Sequence, residues 1–141
     1  MIMTHICTCV LFVLMCGTSD AAFTMTCPNG HNIISETPAI VKYNQPLSMD
    51  INYNVMTGKY KAPETGTYLV SVTLMTGIVA GHATLMKNGV YVWLYSGNQY
   101  DMATQTVIME LTKGQEIWVE MANGARTLFG AYNTFTVVKQ C

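Results

Sequence analysis

Charge is scarce in this chain. Only 11% of its 141 residues are charged, Arg126 is the single arginine, and the formal net charge is -1. The seven basic residues are scattered, so nothing favours nucleic acid or an anionic membrane surface as a partner. No Asn-x-Ser/Thr triplet occurs, which excludes N-glycosylation. CxxC spacing is missing, and a zinc site has no support without it. Gly-x-Ser-x-Gly, His-Glu-x-x-His and phosphate-loop patterns are missing too, and there are only three histidines, so the chain is not expected to be an enzyme. His82 has no carboxylate at ligand spacing and reads as a turn or strand-start residue. There is no internal repeat, no Gly-X-Y tract, no coiled-coil heptad and no capped stretch of helical periodicity.

Long apolar runs are also missing, with one short exception. Residues 6–16 are uncharged and apolar, too few to span a bilayer, and a small, polar stretch from Gly17 to Ala22 follows. This is the layout of a secretory signal peptide, although its start carries no Lys or Arg. Ser19 and Ala21 supply small residues at the positions that precede cleavage. The expectation is a signal at 1–21, then one globular domain at 22–141, secreted and extracellular, with no insertion into membrane. Removing the signal takes Cys7, Cys9 and Cys16 and leaves Cys27 and Cys141. Two cysteines near the ends of a secreted domain suggest one disulfide within the chain, or links between subunits.

What is present is β-strand patterning. Thr57-Gly58-Lys59-Tyr60-Lys61-Ala62-Pro63-Glu64-Thr65-Gly66-Thr67-Tyr68 reads as a short strand, a turn and the start of a long strand. Gly58 and Gly66 can supply a positive φ, and Pro63 belongs in the turn because it cannot donate to a central ladder. Tyr68, Val70, Val72 and Leu74 alternate with Leu69, Ser71, Thr73 and Met75. Asn88-Gly89, set between two strand-like runs, is a strong hairpin signal. Gln105 to Leu111, Glu116 to Met121 and Thr134 to Val138 complete the strands. Residues 27–32 read as a loop, Ile40 to Tyr43 as a short strand, and Asn44-Gln45-Pro46 as its end. Strands at this spacing imply an all-β sandwich or barrel. Val90 to Tyr95 is apolar on both faces, and a monomer would leave one of them exposed.

The order Tyr53-Asn54, Thr57-Gly58-Lys59-Tyr60, Ala62-Pro63, Gly66-Thr67-Tyr68 resembles the central motif of the complement C1q globular-head family. Leu85-Met86-Lys87-Asn88-Gly89 is similar to that family's Leu-x-Lys-Asn-Gly hairpin, and Leu111 to Val119 to its Leu-x-x-Gly-Asp-x-Val-x-Val segment. Phe129-Gly130, Thr134-Phe135-Thr136 and Ala22-Phe23-Thr24 resemble its closing and opening strands. Val137 stands where the family has glycine, and Gln115 where it has aspartate. With no Gly-X-Y tract in the chain, it resembles a short, stalkless secreted member of the family. The resemblance implies an antiparallel, ten-stranded jelly roll shared with the tumour necrosis factor superfamily, assembled as a homotrimer. If Ala22-Phe23 pairs antiparallel with the last strand, Cys27 falls too far along for a bridge to Cys141, unless a loop at Cys27-Pro28 returns it.

Some relatives hold calcium in the loops at the top of the trimer, which makes Asp50 and Asp101 the metal candidates here. One carboxylate per loop is thin for an ion that takes roughly six to eight oxygens, so solvated loop aspartates are the favoured reading and no cofactor is expected. Arg126, with Tyr95, Asn98, Tyr100 and Asp101, could line a surface for polar or glycan ligands. The leading expectation is a non-enzymatic, lectin-like pattern-recognition protein of innate immunity, binding microbial glycans or lipids. The alternatives are a cytokine-like or synaptic-organiser-like ligand of a cell-surface receptor, and a disulfide-linked structural protein of a secreted matrix.

Overall fold

The computed structural model describes residues 21–28, 31–34, 38–96, 98–122 and 126–140. The expected signal segment, apart from Ala21, and Cys141 lie outside the described residues. Thirteen strands occur among those described: β1 Ala22–Thr26, β2 His31–Ile34, β3 Ala39–Ile40, β4 Gln45–Ser48, β5 Tyr53–Asn54, β6 Lys59–Lys61, β7 Gly66–Met75, β8 Gly81–Lys87, β9 Val90–Ser96, β10 Met102–Leu111, β11 Glu116–Met121, β12 Arg126–Phe129 and β13 Thr134–Lys139. One 3₁₀ turn, Gly130–Tyr132, joins β12 to β13. An antiparallel five-stranded sheet runs β10-β7-β13-β1-β4. A second sheet runs β5-β6-β11-β8-β9 with β3 beside β11, and β12 pairs with β2 in a small ribbon. The architecture is the expected jelly-roll sandwich, with short extra pieces raising the strand count.

Alternation decides which residues enter the core. Tyr68, Val70, Val72 and Leu74 of β7 are fully buried, as are Ile117, Val119 and Met121 of β11 and Phe135 and Val137 of β13. Phe23 stacks between Tyr53 and Tyr60, with ring centroids 5.0 Å away on each side, and meets the edge of Phe135 at 5.3 Å. Such ring pairs add about 0.5–1.5 kcal/mol each beyond their buried area. Val137, in the glycine position of the family pattern, sits opposite Phe23 and Val70 and packs without exposure.

Local sequence explains the turns. Gly58 takes φ +74°, and a Cβ there would lie 2.7 Å from the Val41 carbonyl oxygen, so only glycine fits. Asn88 and Gly89 both have positive φ, 47° and 76°, the twisted two-residue turn that suits a hairpin. Gly66 does not use its freedom: it opens β7 without a positive φ. Three other expectations shift. His31–Ile34 is a strand rather than a loop, because its partner β12 lies far along the chain. The strand expected over 40–43 ends at Ile40, and Gln45–Ser48 forms a strand through Pro46. Proline is tolerated there because β4 is an edge strand.

The register also settles the ends. Lys139 donates its backbone N–H to the Ala21 oxygen at 2.9 Å, and Gln140 to Thr67 at 2.7 Å, so both ends of the described chain meet at one pole. The turns after β7 and β9 lie at the other pole, where Met75 pairs with Met102 and Thr26 with Thr134.

Cys27 is a free, buried thiol within the single described chain, and its expected partner Cys141 lies outside the described residues. The pairing of β1 with β13 expected for Ala22-Phe23 is present: Ala22 lies opposite Val138, and Cys27 is five residues further along. At ~3.3 Å per residue Cys27 stands about 17 Å along the sheet from the Ala22–Val138 pair, beyond the roughly 7 Å Cα reach of a disulfide to that pair. Burial pushes the Cys27 thiol up from 9.0 to about 12. A raised pKa favours folding below the ordinary value, and that share is lost as pH rises. Stability in denaturant should therefore begin to fall above pH 9.0, before the tyrosines reach their ordinary 10.0. Cys27→Ala should flatten that first part of the alkaline limb, and in the wild type Cys27 should resist thiol reagents until the protein unfolds. The neighbouring Tyr43 hydroxyl is buried without a hydrogen-bond partner among the described residues. Removing it in Tyr43→Phe should leave stability unchanged or raise it by about 1 kcal/mol, measured by urea titration.

Candidate functional site

The distal pole is held together by two buried polar side chains. Asn133 is fully buried, and its carboxamide oxygen accepts the Met75 N–H at 2.8 Å. Its Nδ2 donates to the Phe129 and Gly130 oxygens, both at 3.1 Å, and its backbone oxygen accepts the Thr26 hydroxyl at 2.6 Å. One residue thus ties β1, β7, β12 and the 3₁₀ turn. Thr76, also fully buried, donates its hydroxyl to the Asn98 oxygen at 2.9 Å and accepts the Asp101 N–H at 3.3 Å. The turn after β7 is therefore bonded to the β9–β10 loop, and Gly77 bonds Thr127 of β12 at 2.6 Å.

The expected ligand-binding residues gather at this pole. Tyr95 pairs with His82 near the end of β9, and Arg126 opens β12 opposite Ile34. Asn98, Tyr100 and Asp101 stand in the loop between β9 and β10. Tyr100 has φ 52°, uncommon for a residue with a side chain, and its N–H donates to the Gly77 oxygen at 3.0 Å. Its ring meets Phe129 edge-on at 5.7 Å, and Phe129 stacks on Tyr132 at 5.6 Å with 14° between planes. Tyr100 and Tyr132 are about half exposed, and the neighbouring Ile78 and Val79 are exposed as well. Phe129 and Tyr132 escape sequence reasoning as surface residues. The three-residue spacing across a 3₁₀ turn, where side chains eclipse, is the signal that could have found them.

The two metal candidates do not come together. Asp50 is buried in the turn after β4, where Oδ1 accepts the Asn52 N–H at 2.9 Å and its Nδ2 at 2.6 Å. Its Oδ2 receives the Tyr60 hydroxyl at 3.4 Å, and burial followed by the Asp50 charge pushes the Tyr60 pKa up. Asp50 is thus a turn anchor, with both oxygens used by the protein. At the other pole, Asp101 accepts the Met102 N–H at 3.0 Å and approaches Asn98 Nδ2 at 3.5 Å. Among the described residues no group of three or more His, Cys, Asp or Glu could hold a metal ion. No described helix is long and apolar enough to cross a membrane.

Replacing Asn133 by Ala should unpair the Met75 N–H and two carbonyl oxygens. We expect a loss of about 2–3 kcal/mol in chemical denaturation, with faster amide exchange in the turn after β7 than in β11.

Comparison with known proteins agrees with this geometry. The zebrafish complement 1qA globular domain superposes with a TM-score of 0.71 at 18% identity, covering 85% of this chain and 97% of that one. Murine APRIL gives 0.62 at 15% identity, covering 84% and 98%. Complement C1q and tumor necrosis factor-related protein 9 of Mus musculus is 32% identical over 114 residues, 75% of this chain and 33% of the relative. The related protein 3 of Homo sapiens is 32% identical over 90 residues, 60% of this chain and 36% of the relative. The chain thus spans about a third of the length of the curated relatives it matches. The C1q domain model matches residues 22–137, and the chain belongs to the C1q domain family.

Proposed function

We propose that this chain is a secreted, homotrimeric recognition protein of innate immunity that binds microbial surface glycans at the pole away from its termini. The observation that carries this reading is the convergence there of Tyr100, Phe129 and Tyr132 with Asn98 and Asp101, beside the strand that Arg126 opens. Half-exposed rings offer faces for the C–H side of a sugar. Carboxamide, carboxylate and guanidinium groups suit its hydroxyl or acidic substituents. The loop is clamped through Thr76 before any ligand arrives, which limits the ordering cost of binding.

A receptor-ligand role is the second reading, and a different surface favours it. Leu47 on β4, Met49 and Ile51 between β4 and β5, and Met56 between β5 and β6 are exposed, Ile51 almost completely at 98%. Apolar residues exposed together on an edge strand and its turns suit a protein partner more than a sugar. Matrix cross-linking through Cys27 loses support, because that thiol is buried.

A screen of the mature protein against glycans and whole bacteria, with and without chelator, tests the choice. Binding should survive chelation and weaken by about tenfold or more in Tyr100→Ala and in Arg126→Ala. Absence of any glycan or bacterial binding, with cell-surface binding lost in Ile51→Asp, would transfer the role to the receptor reading.

A further inference from the structure

Basic residues that lie apart in the sequence meet at the pole of the termini. Four of the six lysines stand there, Lys61, Lys87, Lys113 and Lys139, each from a different strand or turn. The turn from β10 to β11, residues 112–115, is their centre. Lys113 belongs to it, and its backbone N–H donates to the Thr65 hydroxyl oxygen at 3.0 Å. Lys61 pairs in register with Glu116 and Lys87 with Ile117, so the two flank β11 on either side. Two strand spacings put their Cα atoms about 10 Å apart. The Lys61 stem lies against the turn, its Cε 3.8 Å from where a Cβ on Gly114 would stand. Gly114 takes φ +85°, and its N–H donates to the Ala62 oxygen at 2.7 Å, which fixes the turn.

The acids at this pole are already engaged. Glu64 holds the Lys139 ammonium at 2.6 Å, and Glu116 holds Lys59 at 3.2 Å. Glu110 accepts the Thr67 hydroxyl at 2.5 Å, and Asp50 is buried in its own turn. Lys61, Lys87 and Lys113 make no ion pair among the described residues, and the Lys87 ammonium donates to the neutral backbone oxygen of Glu110. Gln115 sharpens the imbalance. It stands where the family pattern has aspartate, and its Oε1 accepts the Thr112 N–H at 3.1 Å, as a carboxylate could. The turn is thus capped without placing a negative charge among the three lysines.

We infer that Lys61, Lys87 and Lys113 form a binding site for a sulfated polysaccharide of the extracellular matrix. The site goes beyond the recognition surface at the other pole and rests only on the secreted reading above. An extended chain suits the geometry, because the three stems start from separate strands and a turn, and successive sulfates can each meet one. Lysine ammoniums are point charges, without the planar fork by which arginine grips a single compact anion. Nucleic acid fits less well, since no exposed aromatic ring stands at this pole among the described residues to stack on a base. Anchored here, the protein keeps the Tyr100 surface turned away from the support.

Affinity chromatography of the mature protein on immobilised heparin and chondroitin sulfate tests this, with circular dichroism to check folding. Because the chain carries no net positive charge, a plain sulfonate exchanger controls for charge alone. Wild type should be retained by at least one polysaccharide, pass through the exchanger, and elute as salt screens the contact. Lys61→Gln with Lys113→Gln should weaken binding by about tenfold, and Gln115→Asp, which returns the carboxylate, by about threefold. Lys42→Gln, which also removes a lysine charge but between β3 and β4, should elute with wild type. Passage of wild type through both polysaccharide columns at low salt would overturn the inference, as would pole variants that elute unchanged. Equal retention on the exchanger, or stronger retention on single-stranded DNA, would overturn it too. Absence of the protein from the medium of expressing cells would strike the secreted reading, and with it the matrix as partner, whatever the columns show.

Discussion

The buried carboxamide of Asn133 is the constraint on which the distal pole depends. Oxygen and nitrogen of one side chain satisfy the end of β7 and the two carbonyls that enter the 3₁₀ turn. That turn sets Tyr132 over Phe129, and the end of β7 delivers Thr76 to the β9–β10 loop. A surface built from loops of distant sequence origin is thus fixed from beneath by polar groups that have nowhere else to bond. Interior networks of this kind hold geometry well because each unmade bond is costly where water is excluded.

The two ends of the sandwich are stabilised in different ways. Toward the termini the core is aromatic, with Phe23 between Tyr53 and Tyr60 and the Asp50 turn closing on the Tyr60 hydroxyl. Toward the loops, rings move out to the surface and polar side chains take over inside. Stacked rings resist deformation through area and shape, whereas the carboxamide specifies individual backbone positions. Recognition surfaces gain from the second arrangement, since loops can vary in sequence around a fixed set of bonds.

Much of this was legible in the sequence. Two-residue alternation in β7 and β11 gave the core faces, Asn88-Gly89 gave the hairpin, and the ordered motifs around Tyr60 and Ala62-Pro63 gave the family. What stayed hidden depends on partners far apart in the chain. His31–Ile34 is a strand only because β12 lies beside it, and Pro46 reads as a breaker unless its strand is known to be at an edge. Asn98, Tyr100 and Asp101 could be chosen from residue type and loop position. Phe129 and Tyr132 could not, because burial and stacking in the 3₁₀ turn decide which aromatics face out. The setting of Cys27 likewise turns on distant partners, since the register of β1 against β13 fixes how far it stands from the Ala22–Val138 pair.

Both ends of the described chain leave from one pole, with Lys139 bonded to Ala21 and its ammonium 2.6 Å from Glu64. The molecule can therefore be tethered from either end, to a bead, a sensor chip or a fused domain, and still present the Tyr100 surface outward. Neighbours anchored on the same support would all aim that surface in one direction. On the proposed glycan reading, weak contacts with a repetitive target add up across many copies, so density on the support, as much as single-site affinity, governs capture.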